Sequence, residues 1–112
     1  MSKRDNNLLL LDMLESANRI LTYTKDYDLN QFLSDNKTSD AVARNFEIIG
    51  EAANNISDEF KSNNPQIEWI LLRGFRNRIV HAYFGVDYTI VWEIIENDME
   101  ELIFQLNQLL VD

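Results

Sequence analysis

One histidine, three arginines, an asparagine and a tyrosine fall within the segment Arg73-Gly-Phe-Arg-Asn-Arg-Ile-Val-His-Ala-Tyr-Phe-Gly85. Histidine is the side chain that both takes and gives a proton near neutral pH. An arginine beside it can hold a phosphate, because its planar fork donates two hydrogen bonds at once, and can stabilise charge that builds up in phosphoryl transfer. Arg76 and His81 are therefore the candidate chemical pair. Asn77 is a supporting residue that a helix would place on the same face as His81, four residues on. Arg73 and Arg78 are candidate phosphate contacts. The same residues have plainer uses. Solvated arginines pair with neighbouring acids, a histidine near a helix C-terminus complements the dipole, and Tyr83 reads as a half-buried core aromatic.

Geometry constrains the pair. On one continuous helix, residues 76 and 81 are about 500° apart, or about 140° out of register. Either the helix end unwinds within one chain, or a symmetric dimer lays two copies of the segment side by side so that both chains line one cleft.

The chain around this segment reads as four helices. The first spans about Asn6 to Tyr27, with a stripe of Leu10, Leu14, Ala17, Leu21 and Thr24 widened by Leu8 and Leu11. Residues 28–38 read as a loop with a small apolar anchor or a helical turn. A second helix starts at Ser39 or Asp40, either of which can cap it, and carries Val42, Phe46, Ile49, Ala53, Ile56 and Phe60 at alternating steps of four and three. Gly50 inside it costs about 1 kcal/mol against alanine, which points to close helix packing. A second loop falls within Ser57–Asn64. Pro65 starts a third helix running to about Tyr83, with Gly85 as its C-terminal cap. Asp87 caps a fourth helix to about Leu110, with Val91 or Trp92, Ile95, Met99, Leu102, Leu106 and Leu109 facing inward. Trp69 and Trp92 read as core. The expected architecture is all-α, an up-down four-helix bundle forming a single domain over 1–112.

Composition narrows the chemistry. The chain of 112 residues carries 10 Lys+Arg against 19 Asp+Glu, a formal charge of −9, which argues against coating nucleic acid by bulk attraction. The segment from Phe84 to Asp112 holds seven acids (Asp87, Glu93, Glu96, Asp98, Glu100, Glu101, Asp112) and no Lys or Arg, and so accounts for −7 of that total. With no cysteine there is no disulfide framework, thiol nucleophile or thiolate metal site, and one histidine makes no multi-histidine metal centre. The 3 glycines and 1 proline exclude a turn-rich all-β fold and glycine-rich phosphate loops. The N-terminus lacks the marks of a secretory signal and no apolar run is long enough to span a membrane, so the expected location is the cytoplasm.

Arg76-x-x-x-x-His81-x-Tyr83 resembles the R-x4-H-x-Y motif of HepT-like toxins of the HEPN superfamily. Arg44-Asn-Phe-Glu-Ile-Ile-Gly-Glu-Ala52 resembles that family's R-x5-G-E-A helix, and Asp87 to Ile94, with Val91 and Trp92, the start of its last helix. The resemblance covers the chain from about Arg44 onward and the first helix by pattern alone. It implies a helical bundle that forms a homodimer or higher oligomer, and metal-independent endoribonuclease activity without a cofactor, with tRNA a candidate substrate. His81 would be the acid/base acting on a ribose 2′-hydroxyl, Arg76 would hold the scissile phosphate, and Asn77 would orient one of them. It further implies the toxin component of a type VII toxin–antitoxin system, partnered by an MntA-like minimal nucleotidyltransferase antitoxin. That partner would adenylylate the motif tyrosine, at the position of Tyr83, placing negative charge and bulk near Arg76 and His81.

Two other readings use the same residues. A non-catalytic helical partner of a nucleotidyltransferase would bind a nucleotide with these arginines and cut nothing. A plain structural dimer would use none of them chemically.

Overall fold

The computed structural model describes residues 5–81 and 85–110, and of Arg76 and His81 the backbone alone. Helix α1 (Asn6–Thr24) begins where the Asp5 carboxylate accepts from the Asn7 amide at 2.7 Å. Its inward face holds Leu10, Ala17 and Thr24 as expected, with Leu9, Met13 and Ile20 beside them where Leu14 and Leu21 were expected. Leu14 and Leu21 sit at its edge, while Leu8 (43%) and Leu11 (48%) face solvent and do not widen it. The helix stops at Thr24 rather than Tyr27, because Asp26 takes a left-handed conformation (φ 64°) that no helix can continue through.

Of the two readings of residues 28–38, the structure shows the helical one, with Phe32 as its apolar anchor. Asp28 and Gln31 form a reciprocal capping box that starts α2 (Leu29–Ser34), whose Phe32 is fully buried. Asp35 ends α2 and caps α3 (Asn36–Asn55), accepting from the Thr38 amide at 3.1 Å, the Thr38 hydroxyl at 2.7 Å and the Tyr27 hydroxyl at 2.6 Å. The cap is thus Asp35, not Ser39 or Asp40. Helices α1 and α3 run antiparallel. Asn6, at the start of one, exchanges hydrogen bonds with Ser57, just past the end of the other. Asn45 sits buried in α3, donating to the Ala41 carbonyl at 2.9 Å.

The expected second helix ends at Asn55, and Phe60 belongs to a separate α4 (Asp58–Asn63), capped by Ser57. Pro65 then lies in a turn and starts no helix. The reason is burial of both Ile67 (2%) and Trp69 (7%). Residues two apart point about 200° away from each other on a helix, so both reach the core only if the backbone is not helical there. The turn is closed by the Trp69 indole donating to the Asn64 carbonyl at 3.0 Å. Two short helices follow, α5 (Trp69–Arg73) and α6 (Phe75–Ile79), separated at Gly74. The chain then changes to a hairpin, β1 (Val80–His81) against β2 (Gly85–Val86), antiparallel with Val80 opposite Val86 and His81 opposite Gly85. The expected helix from Pro65 to Tyr83 is therefore broken twice. Gly85, with φ 73°, uses its conformational freedom in the hairpin rather than as a helix cap. Asp87 caps α7 (Tyr88–Leu110) as expected, accepting from the Thr89 and Ile90 amides.

The architecture is an all-α bundle of α1, α3 and α7 with α5–α6 as a broken fourth arm. Among the described residues no helix is long and apolar enough to cross a membrane.

Candidate active site

Two contacts show how closely the arm sits on α3. A Cβ built at Gly50 would lie 3.3 Å from the Leu72 carbonyl oxygen, so the glycine lets the last turn of α5 rest on α3. Four residues earlier on the same face, Phe46 meets Phe75 edge-on, with ring centroids 5.1 Å apart. Phe75 and Ile79, four apart, are both fully buried and fix the inward side of α6. Arg76 is the residue after the first of these anchors. Asn77 and Arg78 are exposed, and so is Arg73 at the end of α5.

Between Arg76 and His81 the helix gives way to a strand. The Ile79 carbonyl, which a continuing helix would use four residues on, instead accepts from the Asp87 amide at 2.6 Å. Asn77 and His81 therefore do not share a helix face, and the 140° mismatch of a continuous helix does not apply. The helix end is unwound between the two residues. Arg76 lies on α6, His81 lies on β1, and Tyr83 falls outside the described residues.

Ion pairs around this segment are few among the described residues. Arg78 approaches Asp98 on α7 at 3.9 Å, both side chains about two-fifths exposed, a contact worth little in water. Arg73 makes no ion pair among the described residues. It stands near enough to Lys61 to help hold that amine below its usual pKa, after burial, which is the larger cause. Among the described residues no three acidic or histidine side chains gather as a metal-binding group.

One tie was not visible from motifs. The Tyr88 hydroxyl, on the first residue of α7, hydrogen-bonds the Asp40 carboxylate on α3. Its ring packs edge-on against Phe32, 6.2 Å between centroids, and burial together with the Asp40 bond pushes the phenol pKa up to about 12. The two residues lie 48 positions apart, and Asp40 had the sequence signature of a helix cap.

The model of the family described as "Ribonuclease HepT-like" matches residues 13–109. The chain belongs to the HepT-like ribonuclease family. It is 42% identical over 102 residues to "Putative RNase MJ1380" of Methanocaldococcus jannaschii, covering 91% of this chain and 94% of that protein. It is 39% identical over 100 residues to "Probable ribonuclease HepT" of Thermococcus cleftensis, covering 89% of this chain and 91% of that one. A second M. jannaschii protein, "Putative RNase MJ0127", is 36% identical over all 112 residues and is covered to 93%. No solved structure matches the chain. In this HepT-like chain the R-x4-H spacing thus spans a helix-to-strand junction. Its first part is seated on the glycine-containing helix α3, and its second part is held by the start of α7.

Proposed function

We propose that this HepT-like ribonuclease is the RNA-cleaving toxin of a toxin–antitoxin pair and acts in the cytoplasm. His81 takes the proton of a ribose 2′-hydroxyl. The 2′-oxygen attacks the adjacent phosphorus, the bond to the 5′-oxygen breaks, and that oxygen leaves with a proton, giving a 2′,3′-cyclic phosphate and a 5′-hydroxyl. Arg76 neutralises the charge that builds on the phosphoryl oxygens. Asn77 orients the pair, and Arg73 and Arg78 meet flanking phosphates.

The observation that carries this reading is the junction within the motif. It puts the arginine and the only histidine on two different elements, one seated on α3 and the other held by the start of α7, in a chain of the HepT-like ribonuclease family. The lone histidine also suits a homodimer, in which His81 of one protomer takes the 2′-proton and the partner subunit's His81 protonates the leaving 5′-oxygen. An MntA-like nucleotidyltransferase would silence the site by adenylylating Tyr83, adding anionic charge beside Arg76. A net charge of −9 suits a single-stranded loop or end, such as one in tRNA, held locally by arginines rather than duplex RNA held by bulk attraction.

The test is cleavage of single-stranded RNA and tRNA by the purified chain with and without chelator. His81→Ala and Arg76→Ala should each lower the rate by about 10²–10⁴-fold with the melting temperature unchanged. Equal cleavage by His81→Ala and the parent overturns the reading. If neither cuts RNA while the chain binds a nucleotidyltransferase, the non-catalytic partner is the correct one.

A further inference from the structure

The hairpin that carries His81 is too small to hold itself. Each strand has two residues, and an isolated two-stranded pair is marginal in water even when longer. Its position must come from its ends. The entering end is Ile79, fully buried on the last turn of α6, which is seated on α3 through Phe75 and Phe46. The leaving end is Val86 and Asp87, which run without a linker into α7. Asp87 reaches both ways. Its amide donates to the Ile79 carbonyl, and its carboxylate caps the first turn of α7. The first residue of α7 is Tyr88, whose hydroxyl bonds Asp40 and whose ring lies against Phe32. Phe32 also packs on Trp92 one turn further along, 5.2 Å between ring centroids. The short helix α2 thus supplies one buried ring, and that ring backs Tyr88.

Asp40 and Phe46 belong to the same helix, so α3 registers both halves of the motif. Phe46 sets the arm bearing Arg76, and Asp40 sets the start of α7 that fixes the hairpin bearing His81. We infer that Tyr88 and Asp40 are positioning residues for cleavage. Their hydrogen bond locks the return strand of the hairpin to α3 and so sets the placement of His81 relative to Arg76. Neither residue touches RNA or the reacting atoms. The phenol is a suitable donor, because a tyrosine hydroxyl stays protonated throughout the neutral range. The inference rests on the assignment of Arg76 and His81 as the chemical pair.

Tyr88→Phe keeps the ring and its contact with Phe32 and removes only the hydroxyl. It should lower kcat about tenfold or more with KM within twofold. Asp40→Ala should do the same, and the double variant should lose no more than either single one. Asp40→Asn keeps an oxygen acceptor and should recover most of the rate. The chain has one histidine, so its imidazole gives one set of NMR signals, read at fixed pH without any substrate. Those signals should shift or broaden in Tyr88→Phe and Asp40→Ala and return towards the parent's in Asp40→Asn. Unchanged imidazole signals in both disrupting variants overturn the inference, whatever the activity. Displaced signals in a chain whose His81→Ala variant still cuts RNA at the parent rate keep the positioning role and overturn the catalytic assignment instead.

Discussion

The frame of α1, α3 and α7 and the arm from Asn64 to Tyr88 are built on different terms. The frame is periodic. Leu10, Met13, Ala17 and Ile20, then Val42, Phe46, Ile49 and Ala53, then Val91, Ile94, Met99 and Leu106 are all fully buried at helical spacing. Each such contact has neighbours above and below it that do the same work. The arm also buries Ile67, Leu72, Phe75 and Ile79, but its path is set by contacts that repeat nowhere: the Trp69 indole on the Asn64 carbonyl, Gly50 under the Leu72 carbonyl, the Asp87 amide on the Ile79 carbonyl, and the Tyr88–Asp40 bond. Redundant apolar burial makes a stable platform. Singular polar contacts make a precise but weakly buffered one, which is where a site needing fixed geometry is found.

The largest effect is expected of Phe46→Ala, because Phe46 belongs to both regions. It is fully buried in α3 and is the seat of Phe75. Truncating a buried phenylalanine costs about 3–5 kcal/mol, a large share of the stability of a domain this size. Denaturant unfolding should show one cooperative transition at a much lower midpoint. A small shift would mean that the arm does not rest on the frame at this point.

Gly50→Val should strike the arm and largely spare the frame. The new Cβ would stand 3.3 Å from a backbone carbonyl, and its methyl groups would press on an oxygen that cannot rotate away. Such overpacking costs about 1–3 kcal/mol, relieved here by displacing α5 and with it Arg73 and Arg76. RNA cleavage should fall by more than the stability loss accounts for. Gly50→Ala is the control. Its gain in helix propensity of about 1 kcal/mol offsets a contact that needs a shift of only a few tenths of an ångström.

The same contrast decides what could be read from the chain alone. Periodic burial is a property of local sequence, so the stripes on α3 and α7, the Asp87 cap and the packing use of Gly50 were all legible. Even in the frame, small competitions were not. Asp35, Ser39 and Asp40 are equally good caps by type, and Asp35 wins because the Tyr27 hydroxyl and Thr38 also converge on it. In the arm, the residues with chemical potential stood out by type and spacing. The shape that holds them did not, because the breaks at Pro65–Glu68 and at Ile79 are set by partners distant in sequence or by paired burial that no single periodicity describes. A helix through His81 was the locally consistent reading. The Asp87 amide on the Ile79 carbonyl overrules it from eight residues away.

The smallest predicted effects separate the two regions by pH. Asp35 joins α2 to α3 within the frame, and its carboxyl is held below the usual value of 3.8, first by the Tyr27 hydroxyl and then by Thr38. A depressed pKa means that the ionised form is favoured by folding. That contribution is present above about pH 3.8 and is lost as pH falls through the folded value. Tyr88 ties the arm to the frame with a pKa raised from 10.0 to about 12, so the protonated form is favoured by folding. Its contribution is complete below pH 10 and is lost between 10 and about 12, when the phenolate and the Asp40 carboxylate become like charges. Acid should therefore loosen amides at the α2–α3 joint first, and alkali those of Gly85, Val86 and the first turn of α7. Site-resolved NMR across the two ranges reads this directly. Alkaline loosening that begins at the α2–α3 joint rather than at the hairpin would show that the Tyr88 tie does not govern the arm.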